Sequence, residues 1–459
     1  MCDKQWRDIS GDFYDWTVTK KPERPFRHDY SKTLVMKMPI SVPDGKGGSK
    51  IFNSFDQTLE KIKKTDAMTL GIPKIIYLVG WQYNGHDDKY PAWFEVNHRL
   101  KRDCDETAAD SLKWLMEEAY QYNTTVSLHI NMTDAYRDSP LWDTYTAHDL
   151  ISKKEDGSFK DIGTWNNKTA YQVFYKNEWE KGFAVKRIDA LISMLPLEKA
   201  GTVHIDAFFC RPSEGHGVPV IVEQEYRRKI IRYWREKGID VTGEFIFREN
   251  KTDDLIGLMP MAWWFNQSQK SYMNRPAELF CGGQINKDLP GDKKLSILFG
   301  QNMHGEDHFA KGDWEKGFIE DFCLKTLPWY YLNCHQRLSI NKNLFNSKVF
   351  YSHGLTACLD KKVIEQNGVI LRIDDNVFIP LLWRKDREIA VFSLKGYSGY
   401  EWKLPQSWSD VASVDIYRIT PQGLQCMINN RAVSNSRIEI SVDQGEALLI
   451  KPYSIKKER

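Results

Sequence analysis

The sequence predicts an α/β protein in which a (β/α)8 barrel precedes an all-β sandwich. From about residue 51 to about residue 340, buried-strand runs alternate with helical segments of about 15–20 residues. Strands that are apolar on both faces and separated by such helices favour a parallel sheet with helical crossovers. After about residue 340, short alternating segments between turn residues indicate a sandwich. A chain of 459 residues with 41% hydrophobic side chains is long enough for both domains.

The elements divide the chain into three segments. Residues 1–50 are polar and contain one alternating run, KTLVMKMPI, so we assign them to a strand-bearing lead-in. Residues 51–340 are assigned to the barrel, because roughly 290 residues suit eight strand–helix units better than an open sheet. Residues 341–459 are assigned to the sandwich. The buried strands of the barrel are predicted in KIIYLVG (74–80), TTVSLHIN (124–131), TVHIDAFF (202–209) and IDVTGEFIF (239–247).

Two further expectations concern the predicted helices and the loops that follow the predicted strands. We expect the basic run EYRRKIIRYWREK to be a solvated helix face, and a long helix to run from about Asp313 to Tyr331. No GxGxxG or GxxxxGK follows any predicted strand, which argues against a nucleotide-binding Rossmann or P-loop protein.

The composition restricts the partners. Lysine and arginine number 64 and aspartate and glutamate 62, a near balance that argues against nucleic acid or an anionic membrane. No segment approaches the roughly 20 apolar residues of a membrane span. The N-terminal residues show no signal peptide, so we expect a cytoplasmic protein if Met1 is the native start, and otherwise a secreted protein with its signal removed. No two cysteines are close enough for a CxxC metal or redox motif.

Two carboxylates lie within apolar strands of the predicted barrel. Barrel enzymes carry their catalytic groups at the carboxyl ends of strands, where Asp206 in HIDAFF and Glu244 in TGEF are found. The two strands are consecutive, so we expect them to be neighbours. Buried carboxylates must be paired, hydrogen-bonded or functional, and two on adjacent strands can approach to the ~5 Å of a retaining glycosidase. A salt bridge to a barrel lysine or arginine is the alternative, and Glu249 and Asp253 are the fallback acids.

Further polar and aromatic side chains follow the first two predicted strands. His86, with Asp87 and Asp88 in WQYNGHDDKYPAW, could bind a metal or clamp sugar hydroxyls, or belong to a solvated loop. His129 and Asn131 alternate on one strand and therefore share a face, as a packed histidine or as substrate contacts.

Aromatic side chains make up 13% of the chain and suit stacking on sugars, although core packing could also explain them. The candidate sugar platforms are Trp81, Trp93, Trp165, Trp263 and Trp264.

The succession GWQYNGHDDKYP, FEVNHRL, SLHINMTDAY, HIDAFF and TGEF resembles the catalytic barrel of glycoside hydrolase family 101. These endo-α-N-acetylgalactosaminidases release a disaccharide from O-linked mucin glycans. The resemblance continues through LPWYYLNCHQRLSI and YEWKLPQSWSDVASVDIYRITPQGLQ and so covers roughly residues 70–450. The family 129 α-N-acetylgalactosaminidases are also similar.

The resemblance implies roles for the two carboxylates. Asp206 matches the family's nucleophile, an aspartate in an I-x-V-D-V motif. Glu244 matches the acid/base of an I-E-W motif, although Phe245 stands where the family has tryptophan.

The resemblance also implies substrate contacts. His86 and Asp87 fall on the family's sugar-binding His-Asp pair, and His129 and Asn131 fall on its His-x-Asn. GTWNNKTAYQVFYKN keeps Trp165 but lacks the Leu-Asp-Gln that helps to form the floor of the family's sugar site. The missing Leu-Asp-Gln affects the predicted subsite for the second sugar of the substrate.

The resemblance therefore implies a retaining α-glycosidase that acts on α-linked N-acetylgalactosamine, with or without a β1,3-linked galactose. The expected partner is a carbohydrate, no cofactor is required, no metal is predicted at the site, and a structural calcium ion is not predicted because no EF-hand-like loop occurs. The alternatives are an exo-acting α-N-acetylgalactosaminidase or α-galactosidase, a catalytically inactive sugar-binding barrel, and a metal-dependent hydrolase using His86, Asp87 and His129.

Overall fold

The structure is a computed structural model that describes residues 22–245, 255–263, 297–300, 303–341 and 347–453, together with residues 273 and 279. The chain divides into two compact units. The first comprises residues 1–60, 74–265 and 278–282, and the second comprises residues 61–73, 266–277 and 283–459.

The described strands of the first unit are dominated by one parallel sheet. The strands are β1 (Leu34–Pro39), β2 (Ser41–Pro43), β3 (Ser49–Ile51), β4 (Lys74–Val79), β5 (Thr124–Asn131), β6 (Asp134–Ala135), β7 (Asp161–Trp165), β8 (Lys168–Gln172), β9 (Thr202–Asp206) and β10 (Asp240–Gly243). The parallel sheet has five strands in the order β1-β4-β5-β9-β10. The other strands form the pair β2–β3 and the small antiparallel sheet β6-β8-β7. The parallel sheet confirms the predicted α/β class.

Helices connect successive strands of the parallel sheet, as a crossover topology requires. They are α1 (Phe55–Met68), α2 (Ala108–Glu118), α3 (Trp142–Ala147), α4 (Tyr175–Glu180), α5 (Phe183–Met194), α6 (Leu197–Ala200) and α7 (Val220–Glu236).

The prediction that the basic face of α7 is solvated is wrong for part of that face. Arg227 is buried and donates to Phe208 O at 2.9 Å, and buried Arg235 pairs with Asp240 at 3.1 Å. These arginines bind polar groups at the ends of β9 and β10 instead of facing water.

Strand β1 lies inside the predicted lead-in, yet it belongs to the parallel sheet. It pairs with β4 in a register that sets Lys37 opposite Tyr77. The sheet therefore begins before the predicted barrel boundary at residue 51. The division of the chain into segments 1–50, 51–340 and 341–459 otherwise stays a prediction.

The parallel sheet is strongly curved. Neighbouring strands lie about 4.8 Å apart, so four steps would separate β1 from β10 by roughly 19 Å in a flat sheet. The Lys37 side chain of β1 nevertheless comes within 3.5 Å of Glu244, which follows β10. A parallel bridge from Gly243 to Ala262 continues the sheet beyond β10. Curvature of this kind suits a barrel, but the described residues do not include a closed one, so the (β/α)8 architecture stays a prediction.

One face of the parallel sheet is polar, contrary to the expectation of strands that are apolar on both faces. Along β9, Thr202, His204 and Asp206 alternate with Val203 and Ile205. These polar residues bond across the concave side of the sheet instead of to water. The bonds run from Tyr77 Oη to Thr202 Oγ1 (2.6 Å), from His204 Nδ1 to Thr242 Oγ1 (3.1 Å) and from Trp263 Nε1 to His204 Nε2 (3.0 Å).

The second unit is built mainly from antiparallel strands, in agreement with the predicted sandwich. Its described strands are β11 (Arg337–Asn341), β12 (Lys348–Tyr351), β13 (Leu355–Cys358), β14 (Val363–Gln366), β15 (Val369–Ile373), β16 (Asn376–Pro380), β17 (Ile389–Ser393), β18 (Tyr397–Lys403), β19 (Ser413–Thr420), β20 (Gly423–Ala432), β21 (Arg437–Val442) and β22 (Glu446–Pro452). A ten-stranded sheet and the separate pair β18–β21 enclose one apolar core.

Helices precede the strands of the second unit. They are α8 (Glu306–Phe309), α9 (Trp314–Asp321) and α10 (Leu327–Asn333). The long helix predicted from Asp313 to Tyr331 corresponds to α9 and α10, joined by a π-helical segment at Phe322–Thr326. Among the residues that the structure describes, no helix combines the length and the apolar character that a membrane crossing needs.

We expect Trp402→Ala to destabilise the second unit by about 3–5 kcal/mol, because truncating a buried aromatic side chain leaves a cavity. Trp402 is 1% exposed, stacks on Phe378 with ring centroids 4.9 Å apart, and donates to Tyr397 Oη. Urea unfolding followed by tryptophan fluorescence measures the change. Trp402→Phe retains an aromatic ring and should cost clearly less, so equal losses for the two variants would contradict this packing.

Candidate active site

Two carboxylates meet at the ends of neighbouring strands. Asp206 is the last residue of β9, and Glu244 directly follows β10, whose Gly243 pairs with Ile205. Glu244 Oε2 accepts a hydrogen bond of 3.4 Å from the backbone N–H of Ala207. The Asp206 and Glu244 side chains are 14% and 16% exposed, so both are largely buried yet reachable.

A buried lysine accompanies these carboxylates. Lys37 Nζ lies 3.5 Å from Glu244 Oε1, and the Lys37 side chain is only 4% exposed. The ammonium group also lies 5.4 Å from the centre of the Trp263 ring, whose π-face attracts cations. The salt bridge that we considered as the alternative to a catalytic role therefore exists for Glu244, and the neighbouring strand β9 ends at Asp206.

The charges around Asp206 act in opposite directions. Burial and the neighbouring charge of Glu244 raise the pKa of Asp206 well above its usual range, and Asp87 and Asp134 act in the same direction. Lys37 opposes them and lowers the pKa of Asp206. The lysine is therefore the group that favours an ionised carboxylate at this position.

His129 lies beside Asp206. Strand β5 pairs with β9 in a register that sets Asn131 opposite Asp206, and His129 Nε2 is 3.6 Å from Asp206 Oδ1. Trp81 Nε1 donates to His129 O at 3.0 Å and so fixes the backbone of β5 at this point. Trp81 is 0% exposed, so it offers no accessible ring face, and its predicted role as a sugar platform is replaced by a positioning contact.

Asn131 closes the turn that follows β5. Its Oδ1 accepts hydrogen bonds from the backbone N–H groups of Thr133 (2.7 Å) and Asp134 (2.9 Å). Its buried Nδ2 has no hydrogen-bond partner within the described parts of the chain. The turn places Asp134 in the same buried cluster, where burial and Asp87 raise its pKa to about 7. Asn131 thus holds the loop and keeps one donor unused.

The loop after β4 brings His86 and Asp87 to the site. The Gly80 and Gly85 backbones, at φ +82° and +127°, pack so closely on Ser41 that a Cβ at either position would collide with it. The His86 N–H donates to Ser41 O at 2.9 Å. His86 Nε2 lies 3.4 Å from Asp87 Oδ2, and the His86 and His129 ring centroids are 5.1 Å apart.

The hairpin β7–β8 braces this loop. Asn166 and Asn167 form its two-residue turn with φ +47° and +61°, the left-handed conformation that such turns require. Asn166 Nδ2 donates to His86 O at 3.0 Å, and Lys168 Nζ lies 2.5 Å from the buried Asp88. Trp165 adjoins the turn and is 47% exposed, so its ring remains available to a ligand.

The structure thus brings Asp206, Glu244, His86, Asp87, His129 and Asn131 to one end of the sheet and sets Trp165 on the bracing hairpin. The candidates Glu249, Asp253 and Trp264 lie outside the described residues. Trp263 is 1% exposed and packs inside the sheet instead of facing a ligand. Lys37 and His204 were missed, although a lysine inside the apolar run LVMKMP and the polar alternation of TVHID were available as signals.

Three of these side chains could hold a metal ion. His86, His129 and Asp206 each offer one ligand atom, and these atoms lie within 4.8 Å of one another.

Comparison with known proteins places the chain in a family of glycoside hydrolases. A family model described as endo-alpha-N-acetylgalactosaminidase matches residues 22–255, just over half of the chain. That span includes the parallel sheet from β1 to β10. It also includes the site residues His86, Asp87, His129, Asn131, Asp206 and Glu244.

Solved structures of the alpha-N-acetylgalactosaminidase NagBb from Bifidobacterium bifidum share the fold. The GalNAc complex has a TM-score of 0.55 and 12% identity over 79% of this chain and 60% of that chain. The ligand-free form has a TM-score of 0.55 and 11% identity over 78% of this chain and 61% of that one. The quadruple mutant has a TM-score of 0.55 and 10% identity over 79% and 60%. The chain therefore spans about 60% of the length of the Bifidobacterium protein.

We expect Lys37→Met to lower the free energy of unfolding of the first unit by about 3–5 kcal/mol, because it leaves two adjacent buried carboxylates without their cation. Chemical unfolding at neutral pH measures the loss. Lys362→Met removes a lysine that pairs with Asp374 at the surface and serves as the matched control, with no measurable change. A Lys37→Met protein as stable as the wild type would contradict the importance of this cation.

Proposed function

The chain belongs to the endo-alpha-N-acetylgalactosaminidase family, glycoside hydrolase family 101, and from this premise we propose that it is a retaining glycosidase that cleaves α-linked N-acetylgalactosamine. The observation that carries the proposal is the meeting of Asp206 and Glu244 at adjacent strand ends. Paired carboxylates at such a position are the machinery that retaining glycosidases use.

In the proposed reaction Asp206 is the nucleophile and Glu244 is the acid/base. A carboxylate oxygen of Asp206 forms a bond to the anomeric carbon while the glycosidic C–O bond breaks. The departing oxygen takes the proton of Glu244. Glu244 then removes a proton from water, whose oxygen attacks the anomeric carbon and releases Asp206. Two inversions give net retention, and no organic cofactor enters the reaction.

Lys37 favours the ionised state of the proposed nucleophile. The nucleophile must be ionised when the substrate binds, and burial beside Glu244 opposes this. Lys37 supplies the compensating positive charge without contacting water, since it is almost fully buried. We assign it a positioning role that acts through the two carboxylates.

The surrounding polar groups suit a sugar. His86 and Asp87 are partly exposed next to the carboxylates and would hydrogen-bond hydroxyl groups. Asn131, which lies opposite Asp206 in the sheet, is 0% exposed, so we assign it a positioning role and no direct contact with the sugar. Trp165 at the edge of the site would stack on the part of the substrate beyond the cleaved bond.

An exo-acting α-N-acetylgalactosaminidase is the second candidate. The segment GTWNNKTAYQVFYKN forms the hairpin β7–β8 and lacks the Leu-Asp-Gln expected at the floor of a disaccharide site. An enzyme without that floor would accept single N-acetylgalactosamine residues in preference to galactose-capped ones.

We expect the wild type to release nitrophenol from α-N-acetylgalactosaminyl nitrophenol or from its β1,3-galactosyl derivative, and Asp206→Asn to reduce the rate by about 10⁴-fold or more. Release of the intact disaccharide identifies endo action, and cleavage of the monosaccharide derivative alone identifies exo action. Asp189→Asn, which alters a carboxylate on α5 that bonds Tyr233, is the matched control with unchanged activity. Full activity of Asp206→Asn would rule out the proposed nucleophile.

Azide separates the role of Glu244 from that of Asp206. We expect Glu244→Gln to lose less activity on nitrophenyl substrates than on unactivated glycosides, because nitrophenolate leaves without a proton. Azide should then restore turnover of Glu244→Gln and yield an α-glycosyl azide, whereas Asp206→Asn should yield a β-glycosyl azide. Proton NMR of the products distinguishes the two anomers. A β-azide from Glu244→Gln would reverse the assigned roles.

We expect Trp165→Ala to raise the KM for a glycopeptide by about three- to tenfold, because a stacked aromatic contact contributes roughly 0.5–1.5 kcal/mol. The KM for the nitrophenyl substrate should change less, and thermal stability should not change because the side chain is half exposed. Equal KM values for wild type and variant on the glycopeptide would remove Trp165 from the binding site.

A further inference from the structure

We propose that His86, His129 and Asp206 form a binding site for a divalent transition-metal ion such as Zn²⁺, and that an ion bound there inhibits the enzyme. The binding stands on the geometry of the three side chains alone. The inhibition rests on the proposed function, in which Asp206 is the nucleophile.

The spacing of the ligand atoms is close to that of a zinc site. Bonds of about 2.1 Å in tetrahedral geometry separate two ligand atoms by about 3.4 Å. His129 Nε2 and Asp206 Oδ1 already lie 3.6 Å apart. With His86 included, the ligand atoms lie within 4.8 Å of one another, so a movement on the order of 1 Å completes the site.

The donor types select the class of metal. Two imidazoles and one carboxylate suit Zn²⁺ and neighbouring transition metals, whereas Ca²⁺ and Mg²⁺ prefer sets of oxygen atoms. Three protein ligands also leave one position for water, as in catalytic zinc sites.

The three ligands are held by different elements. His129 is 2% exposed on β5, and Asp206 ends the adjacent strand β9. His86 is anchored through its own backbone to Ser41 and Asn166, and its side-chain Nε2 lies 3.4 Å from Asp87 Oδ2. His86 Nδ1 has no hydrogen-bond partner in the part of the chain that the structure describes, so its use as a ligand breaks no bond there.

The surrounding charge favours a cation. Glu244, Asp87 and Asp134 all act on Asp206 with negative charge, while Lys37 is the positive group that acts on it most strongly. Lys37 lies 3.5 Å from Glu244, which follows β10, whereas His129 lies 3.6 Å from Asp206 on β5, the other neighbour of β9. An ion at the three ligands would relieve the repulsion among the carboxylates.

Inhibition follows from the shared ligand. A bound ion withdraws electron density from the Asp206 carboxylate, which makes it a weaker nucleophile, and it occupies space that the sugar would need, so the ion should compete with substrate. This outcome is the reverse of a metal-dependent hydrolase, in which a chelator would abolish activity.

The test is calorimetric titration of the chelator-treated 459-residue chain with ZnCl₂, together with visible absorption after addition of Co²⁺. We expect one ion per chain for the wild type and an affinity at least about tenfold weaker for His86→Ala. His98→Ala removes an exposed histidine outside the cluster and should bind as the wild type does. His86→Gln, checked by circular dichroism, replaces His86→Ala if the latter fails to fold.

Loss of binding in His86→Ala but not in His98→Ala would support the site. No binding by the wild type, or binding unaffected by His86→Ala, would overturn it. Competitive inhibition by Zn²⁺, relieved by chelator, would support the second part of the proposal, and activity that requires Zn²⁺ would overturn that part alone. A wild type inactive on all glycosides would refute the proposed function, while the titration would still decide the metal site.

Discussion

The contact between Lys37 and Glu244 is the constraint on which the rest of the site depends. It joins a side chain of the first strand of the parallel sheet to one that follows the last, so it can form only in a sheet that curves strongly. Strands β5, β9 and β10 are direct neighbours, so their carboxyl ends lie together, and three carboxylates, Glu244, Asp87 and Asp134, act on Asp206. A buried cation offsets the repulsion within such a cluster, and Lys37 is the cation that contacts Glu244.

The hydrogen bonds of Trp81, Asn131 and Asn166 hold backbone groups around the site in place and do not balance side-chain charges. Trp81 bonds the carbonyl of His129, Asn131 bonds the turn after β5, and Asn166 bonds the carbonyl of His86. Each of these side chains is thereby used for positioning, and the imidazoles and carboxylates are left to face the concave side of the sheet. A preorganised active site needs both kinds of group: some hold the backbone in place, and others react with the substrate.

The sequence was sufficient for the α/β class, for the antiparallel second unit and for the proximity of Asp206 and Glu244, because parallel strands that follow one another along the chain are usually neighbours. The sequence was insufficient where tertiary packing determines which side chains are buried. The buried Lys37 and Trp81 depend on partners far away in the chain, Glu244 and His129. Arg227 and Arg235 bind nearer partners, Phe208 and Asp240, that lie outside their own helix. Local patterns do not encode those partners. The alternation of polar residues along TVHID was visible but was outweighed by the apolar run around it.

The central claim is that Asp206 forms a covalent bond to the sugar during turnover. The most direct measurement is peptide mass spectrometry after reaction with a 5-fluoro-N-acetylgalactosaminyl fluoride, which accumulates the glycosyl-enzyme of a retaining enzyme. The account predicts a single label on the peptide that contains Asp206. A label on Glu244, or hydrolysis of the reagent without any labelled peptide, would contradict it.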